Sequence, residues 1–164
     1  MRLKLALLLL AGVCQQAAMA QLPDRPSLYQ SDMVMKNACS KAEQGRLRKE
    51  VLALAGGATS QDAWTLASKM LCGRSDAERK YVVDRTANPY KVRDGDGEEG
   101  GGKARKAKAS SLKVAQMAAW DTSVVFADDA VRVLYNSDEA CVASFDLAEV
   151  KGKWKIVATG EACD

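Results

Sequence analysis

Four cysteines are spread along the chain after residue 20, and their pairing restricts the fold more than any other feature of the sequence. They are Cys39, Cys72, Cys141 and Cys163, while a fifth, Cys14, lies in an apolar N-terminal segment. An even number of cysteines in an exported chain predicts disulfides. Three pairings are possible, and we favour Cys39–Cys72 with Cys141–Cys163 because each bridge then stays within a contiguous stretch. The alternative, four thiolates on one zinc ion, lacks any CxxC spacing.

The first twenty residues have the layout of a secretory signal peptide. Arg2 and Lys4 form a positively charged start, residues 5–13 are apolar, and residues 18–20 read Ala-Met-Ala, a small-x-small cleavage site. The apolar run is far shorter than the roughly 20 residues that cross a bilayer. We therefore predict cleavage after Ala20, a mature chain without a transmembrane anchor, and a periplasmic or secreted location. Lipidation of Cys14 is the alternative, but the valine before it is a poor match.

The absence of histidine and the near balance of charges exclude several classes of function. The chain has 24 Lys+Arg, 21 Asp+Glu and no histidine. Without histidine there is no Ser-His-Asp or Cys-His catalysis, no His-ligated zinc and no imidazole pH switch. So small an excess of positive charge gives no basis for a nucleic-acid partner. The sequence predicts no metal and no cofactor.

Helix-capping patterns divide the first half of the chain. Residues 21–39 contain two prolines and predict an extended segment, after which residues 40–164 predict a single domain. Ser40-x-x-Glu43 and Ser75-x-x-Glu78 are capping boxes, so a helix should begin at each. A helix over about residues 61–72 should lie between them. The third helix must end near the proline at position 89, which removes a helix hydrogen bond.

A glycine-rich, charged block over residues 93–108 separates these helices from the second half. It contains no large apolar side chain, so we predict a flexible loop. The acidic residues at alternate positions from Asp94 to Glu98 resemble the start of a calcium loop. However, Glu99 stands where that loop requires glycine, and Arg105 stands at the twelfth position instead of glutamate. We therefore predict no calcium site.

The second half alternates apolar and polar residues with turn residues between short runs, which predicts strands. Residues 111–120 fit neither the helical nor the strand period, and both interpretations stay open. Helices followed by consecutive strands predict an α+β fold in which the N-terminal helices pack on a curved antiparallel C-terminal sheet. The predicted strands cover residues 123–127, 130–135, 140–147 and 153–159.

Three of these segments carry a resemblance to a known family. Ala130-Val131-Arg132-Val133, then residues 142–147 (VASFDL), then residues 150–157 (VKGKWKIV) resemble the C-terminal half of NTF2-like (cystatin-like) domains. The resemblance covers roughly residues 112–160. It implies that the helices form a cone against a curved sheet. Members of that superfamily include enzymes, binding modules and assembly factors, so the fold does not determine the function.

Four aromatic residues are the candidate binding residues. If the sheet curves, they should approach one another and line an apolar pocket or a partner surface, although packing in the core is the simpler alternative. We predict an exported, non-enzymatic binding protein whose ligand is a partner protein in the envelope, in an immunity or inhibitor role, or a small apolar molecule. The four residues are Trp120, Tyr135, Phe145 and Trp154.

Two other classes of function remain as alternatives. An NTF2-like enzyme without histidine would need a buried carboxylate as its acid or base. A scaffold subunit of an envelope assembly would instead oligomerise through the open face of the sheet. The sequence gives no predicted catalytic residue. The carboxylates that an enzyme could use are Asp121, Asp128, Asp129 and Asp146.

Overall fold

A computed structural model describes residues 35–95 and 104–163; the predicted signal peptide and residues 21–34 lie outside them. Within these described ranges three α-helices precede six β-strands, so the predicted α+β class is confirmed. The elements are α1 (Lys41–Ala55), α2 (Ser60–Cys72), α3 (Asp76–Asp84), β1 (Thr86–Gly95), β2 (Ala104–Ala107), β3 (Trp120–Ala127), β4 (Ala130–Asn136), β5 (Cys141–Val150) and β6 (Lys153–Cys163).

Both predicted capping signals begin a helix. The Ser40 hydroxyl accepts a hydrogen bond from the backbone N–H of Glu43 at 3.3 Å at the start of α1. Ser75 and Glu78 form a complete capping box at the start of α3, with the Glu78 carboxylate accepting from the Ser75 backbone N–H at 3.2 Å. These bonds satisfy backbone donors that a helix leaves free in its first turn.

The six strands form one open sheet in the order β2-β1-β6-β5-β4-β3. Neighbouring strands are antiparallel except for β1 and β6, which run parallel, so the sheet is mixed. We call the face that packs on the helices the inner face and the other the outer face. Phe145, Leu147 and Ile156 of the inner face are buried in one core cluster that also contains Leu66 and Met70 of α2.

The segment for which the sequence predicts a loop contains strand residues at both ends. Residues 93–95 belong to β1 and residues 104–107 to β2, and the two strands pair antiparallel. The loop prediction does not hold for these residues, because a sequence rule cannot detect that β1 pairs with β6, where Arg93 lies opposite Gly160, 67 residues later in the chain. Residues 96–103, with most of the acidic part of the block, lie outside the described residues.

The segment 111–120 is neither a helix nor a strand over most of its length. After a single 3₁₀ turn at Ala109–Ser111, the chain is irregular, with positive φ at Gln116 and Met117. The backbone N–H groups of Ala115 and Met117 donate to the carbonyls of Met70 and Leu71, at 3.1 and 2.8 Å. The last turn of α2 leaves these carbonyls free, so the segment lies across the end of that helix.

The predicted disulfide pairing is confirmed. Cys39–Cys72 joins the start of α1 to the end of α2, and Cys141–Cys163 joins two residues that pair directly across β5 and β6. Two disulfides are compatible with an oxidising compartment. Among the described helices, none combines the length and the hydropathy that crossing a bilayer requires.

The disulfide pairing can be tested by mass spectrometry. The oxidised protein should have an intact mass lower than that of the reduced protein by four hydrogens, because each disulfide removes two. Proteolysis without reduction should then release one peptide pair that contains Cys39 and Cys72, and another that contains Cys141 and Cys163. Tandem mass spectrometry of the digest makes the measurement, and a peptide that links Cys39 to Cys141 would contradict the pairing.

Candidate functional site

A cavity of about 410 Å³ opens between the inner face of the sheet, the end of α2 and the irregular segment after β2. Strands β1, β4, β5 and β6 supply its floor, and residues 111–115 and 118 form the opposite wall. Its lining residues are Met70, Tyr90, Val92, Arg105, Ser111, Leu112, Lys113, Val114, Ala115, Ala118, Tyr135, Ser137, Ala143, Ser144, Thr159, Gly160 and Glu161.

The cavity exists because a small residue stands between two larger ones on the sheet. Tyr135 pairs with Ala143, and Ala143 pairs with Glu161, so these three side chains form one row across β4, β5 and β6. Directly paired residues point to the same face of a sheet. In the neighbouring row, Phe145 stands where Ala143 stands here, and it fills the space down to the helices. Because Ala143 has only a methyl group where Phe145 has an aromatic ring, the space above Ala143 remains open.

Two buried tyrosines line this cavity. Tyr90 is 5% exposed and Tyr135 is 7% exposed, and both line the cavity. Neither hydroxyl forms a hydrogen bond with a residue that the structure describes, and neither is completely shielded from solvent. Buried tyrosine hydroxyls normally find a partner. These two donors are therefore available to a molecule inside the cavity.

Tyr135 keeps its proton over the physiological pH range. Burial, and to a smaller extent the negative charge of Glu161, raise the pKa of Tyr135 to about 12. The neutral phenol can both donate and accept a hydrogen bond. Glu161 itself is exposed at the mouth of the cavity. The site thus combines an apolar interior with a phenol on β4 and a carboxylate on β6, the two strands that flank β5.

The carboxylates that an enzyme could have used lie away from the cavity. Asp128 and Asp129 occupy the turn between β3 and β4, with positive φ, and the Asp121 carboxylate accepts from the Lys36 backbone N–H at 3.0 Å. Asp146 is 2% exposed but lies on the outer face, because it alternates with the core residues on either side of it in β5. None of the four lines the cavity.

Asp146 is held as an anion by two arginines. Arg132 donates from Nε to Asp146 Oδ1 at 2.9 Å, and Arg93 donates to Oδ2. Burial is the largest single influence and opposes ionisation, but the hydrogen bonds and charges of Arg132 and Arg93 together outweigh it and lower the pKa of Asp146. A carboxylate so stabilised is a weak base, and this environment is unlike that of a general acid or base.

The structure separates the four aromatic candidates. Tyr135 lines the cavity, and the Phe145 ring lies beside it in the core, with 6.3 Å between the ring centroids. Trp154 is buried elsewhere, where its indole N–H donates to the Thr59 hydroxyl at 3.1 Å. Trp120 is half-buried at the start of β3 and does not line the cavity.

Several residues that line the cavity were not predicted from the sequence. Tyr90 and Val92 lie in β1, where the pattern apolar-Lys-apolar-Arg over residues 90–93 has the period of a strand. Glu161 lies near the end of β6, which extends to residue 163, four residues beyond its predicted end at residue 159. The short alternation at residues 90–93 was the one available signal.

Glu161 also belongs to a group of three residues of the types that bind metal ions. Cys141, Cys163 and Glu161 each place a ligand atom within 4.8 Å of the others. However, the two sulfur atoms are bonded to each other, and a metal binds the thiolate form of cysteine. The disulfide form therefore leaves Glu161 as the ligand that this cluster can offer.

Comparison with known proteins gives a weak structural similarity and no sequence match. No family model matches the chain, and no curated protein matches it. Solved structures similar to this chain include an NTF2-like protein of unknown function from Shewanella baltica OS155, which is 16% identical with a TM-score of 0.38. The alignment covers 65% of this chain and 96% of that one.

Two further structures show the same degree of similarity. An NTF2-like protein of unknown function from Methylobacillus flagellatus KT is 12% identical with a TM-score of 0.34, over 79% of this chain and 98% of that one. A protein from work on the de novo design of diverse pocket structures is 11% identical with a TM-score of 0.35, over 63% and 96%. The chain thus has a weak NTF2-like resemblance in structure, and function must be argued from its own residues.

Proposed function

We propose that this chain is an exported, non-enzymatic protein that binds a small molecule with an apolar body. The observation that carries the proposal is the pair of buried tyrosines, Tyr90 and Tyr135, which line a cavity of about 410 Å³ and whose hydroxyls form no hydrogen bond with a described residue. A ligand with one polar group would satisfy these hydroxyls while its apolar part displaces water from the lining.

The size and lining of the cavity support a small ligand. Pockets for small molecules usually measure about 300 to 1,000 Å³ and combine an apolar lining with a few polar groups. Met70, Leu112 and Val114 supply the apolar wall opposite the sheet. Export is supported by the sequence of residues 1–20, which predicts a signal peptide, and by the two disulfides.

A partner protein is the second candidate ligand, and a different surface favours it. Strand β3 forms one edge of the sheet, and its residues Val125 and Phe126 are 42% and 57% exposed. An exposed edge strand with apolar side chains can pair with a strand of another protein. This surface lies across the sheet from β1 and β6, so binding there would not require the cavity.

The cavity proposal can be tested with N-phenylnaphthylamine, a neutral apolar dye, and the purified oxidised protein. We expect saturable binding of one dye molecule. Ala143→Phe should weaken this binding about tenfold or more, because the new ring occupies the space above residue 143. Fluorescence titration gives the affinity, and circular dichroism shows whether the variant is folded.

The matched control is Ala148→Phe, a substitution of the same size in the same strand but outside the cavity lining. It should leave dye affinity unchanged. If both variants fold and bind the dye equally well, the dye binds elsewhere and the cavity proposal is wrong. Binding of a protein from an envelope extract that survives Ala143→Phe but not Phe126→Asp would instead support the partner surface.

A further inference from the structure

The row Tyr135–Ala143–Glu161 borders a recess of the cavity. The proposed function does not specify which chemical group of the ligand would bind there. Tyr135 and Glu161 lie on strands that are separated by β5, so their backbones are two strand spacings apart, about 10 Å. Between them stands the methyl group of Ala143. We call this recess the 135–161 notch. It has a phenol ring on one side and a carboxylate on the other, with room for a small group between them.

A disulfide constrains the backbone at the Glu161 side of the notch. Cys141 and Cys163 pair directly across β5 and β6 and are joined by the disulfide, and the next pair with the same orientation is Ala143 and Glu161. The bridge therefore holds the strand pair together one step from the carboxylate. A preorganised group binds more tightly because less freedom is lost on binding.

Resting on the proposed function, we infer that the ligand carries an ammonium group, which binds in the 135–161 notch while the apolar body fills the cavity. A carboxylate and the face of an aromatic ring both attract an organic cation. No described residue forms a hydrogen bond or an ion pair with the Glu161 carboxylate, so a ligand cation would meet no competing partner among them.

The electrostatic field in the notch has the sign that this inference requires. The charge of Glu161 contributes to the raised pKa of Tyr135, so it is felt at the phenol on the far side of the notch. The cationic lining residues lie outside the row that flanks the notch: Arg105 is on β2, on the side of β6 opposite to β5, and Lys113 is on the irregular wall. An anionic group would be repelled from the notch and would have to bind near that wall.

Three probes that share one aromatic body and differ in charge test the inference on the purified oxidised protein. They are naphthylmethylamine, naphthylmethanol and naphthoate, with isothermal titration calorimetry as the measurement. We expect the amine to bind about three- to tenfold more tightly than the alcohol, and the carboxylate most weakly. The preference for the amine should decrease at high salt, because screening weakens an exposed ion pair.

Glu161→Gln should remove the preference for the amine but leave the affinity of the alcohol unchanged. Glu149→Gln, a neutralisation of another exposed carboxylate in the neighbouring strand β5, is the control and should retain the preference. Equal binding of the three probes, tighter binding of the carboxylate, or no binding of any would overturn the inference. If the neutral dye still binds and Ala143→Phe still blocks it, the cavity proposal survives that outcome; if the dye result also fails, both are wrong.

Discussion

Replacement of Phe145 with alanine is expected to lower the free energy of unfolding by about 3 to 5 kcal/mol. The side chain is fully buried on the inner face of the sheet, and it belongs to the core that the helices and the sheet share. Alanine would leave a void there that surrounding side chains could fill only in part. Chemical denaturation of the wild type and the variant, followed by circular dichroism, measures the difference.

Phe126→Ala is the matched control, because that side chain is 57% exposed on β3. It should change the free energy of unfolding by less than about 1 kcal/mol. The pair of variants also separates the two interpretations of Phe145, as a core residue and as a binding residue. If Phe145→Ala were as stable as the wild type and lost only dye binding, the core assignment would be wrong.

Local sequence patterns predicted the elements that depend on local interactions. Ser40 and Ser75 mark the starts of α1 and α3 because a capping hydroxyl acts within three residues. The strands β4 to β6 follow from alternation between an apolar inner face and a polar outer face, with turns between neighbours. The disulfide pairing followed from the same proximity along the chain.

Elements that depend on distant contacts did not follow from the sequence. Strand β1 contains Pro89 and three charged residues, and its strand conformation depends on parallel pairing with β6 and antiparallel pairing with β2. The segment 111–120 shows no period, and its backbone N–H groups at Ala115 and Met117 donate to the end of α2. A periodicity rule detects regular elements and gives no information about such a segment.

The candidate site was predictable only in part for a similar reason. Aromatic residues are visible in a sequence, and Tyr135 was identified as a candidate in this way. The cavity, however, depends on a small residue at position 143 and on its neighbours across two strands. An alanine in a strand carries no signal of a cavity until the register is known. Glu161 likewise becomes a candidate only when the register places it in one row with Ala143 and Tyr135.

Replacement of Arg132 with methionine is expected to lower the free energy of unfolding by about 3 kcal/mol. Methionine keeps much of the apolar stem of arginine but removes the hydrogen bonds to Asp146. Asp146 is 2% exposed and would keep Arg93 as its remaining charged partner. A buried carboxylate that loses one of its two partners destabilises the folded state. Urea denaturation at neutral pH measures the loss.

The pH dependence of the free energy of unfolding tests whether the Asp146 carboxylate causes the loss of stability in Arg132→Met. Since the pKa of Asp146 is lowered in the folded protein, its contribution to stability is present above the unfolded pKa of about 3.9 and is lost as the pH falls through the folded pKa. Arg132→Met should raise the folded pKa and so bring this loss to higher pH. Adding Asp146→Asn should remove the shift, because the double variant has no carboxylate to protonate there. If Arg132→Met shifted the acid transition equally with aspartate or asparagine at position 146, the effect would come from another group, and the proposed role of this ion pair would be wrong.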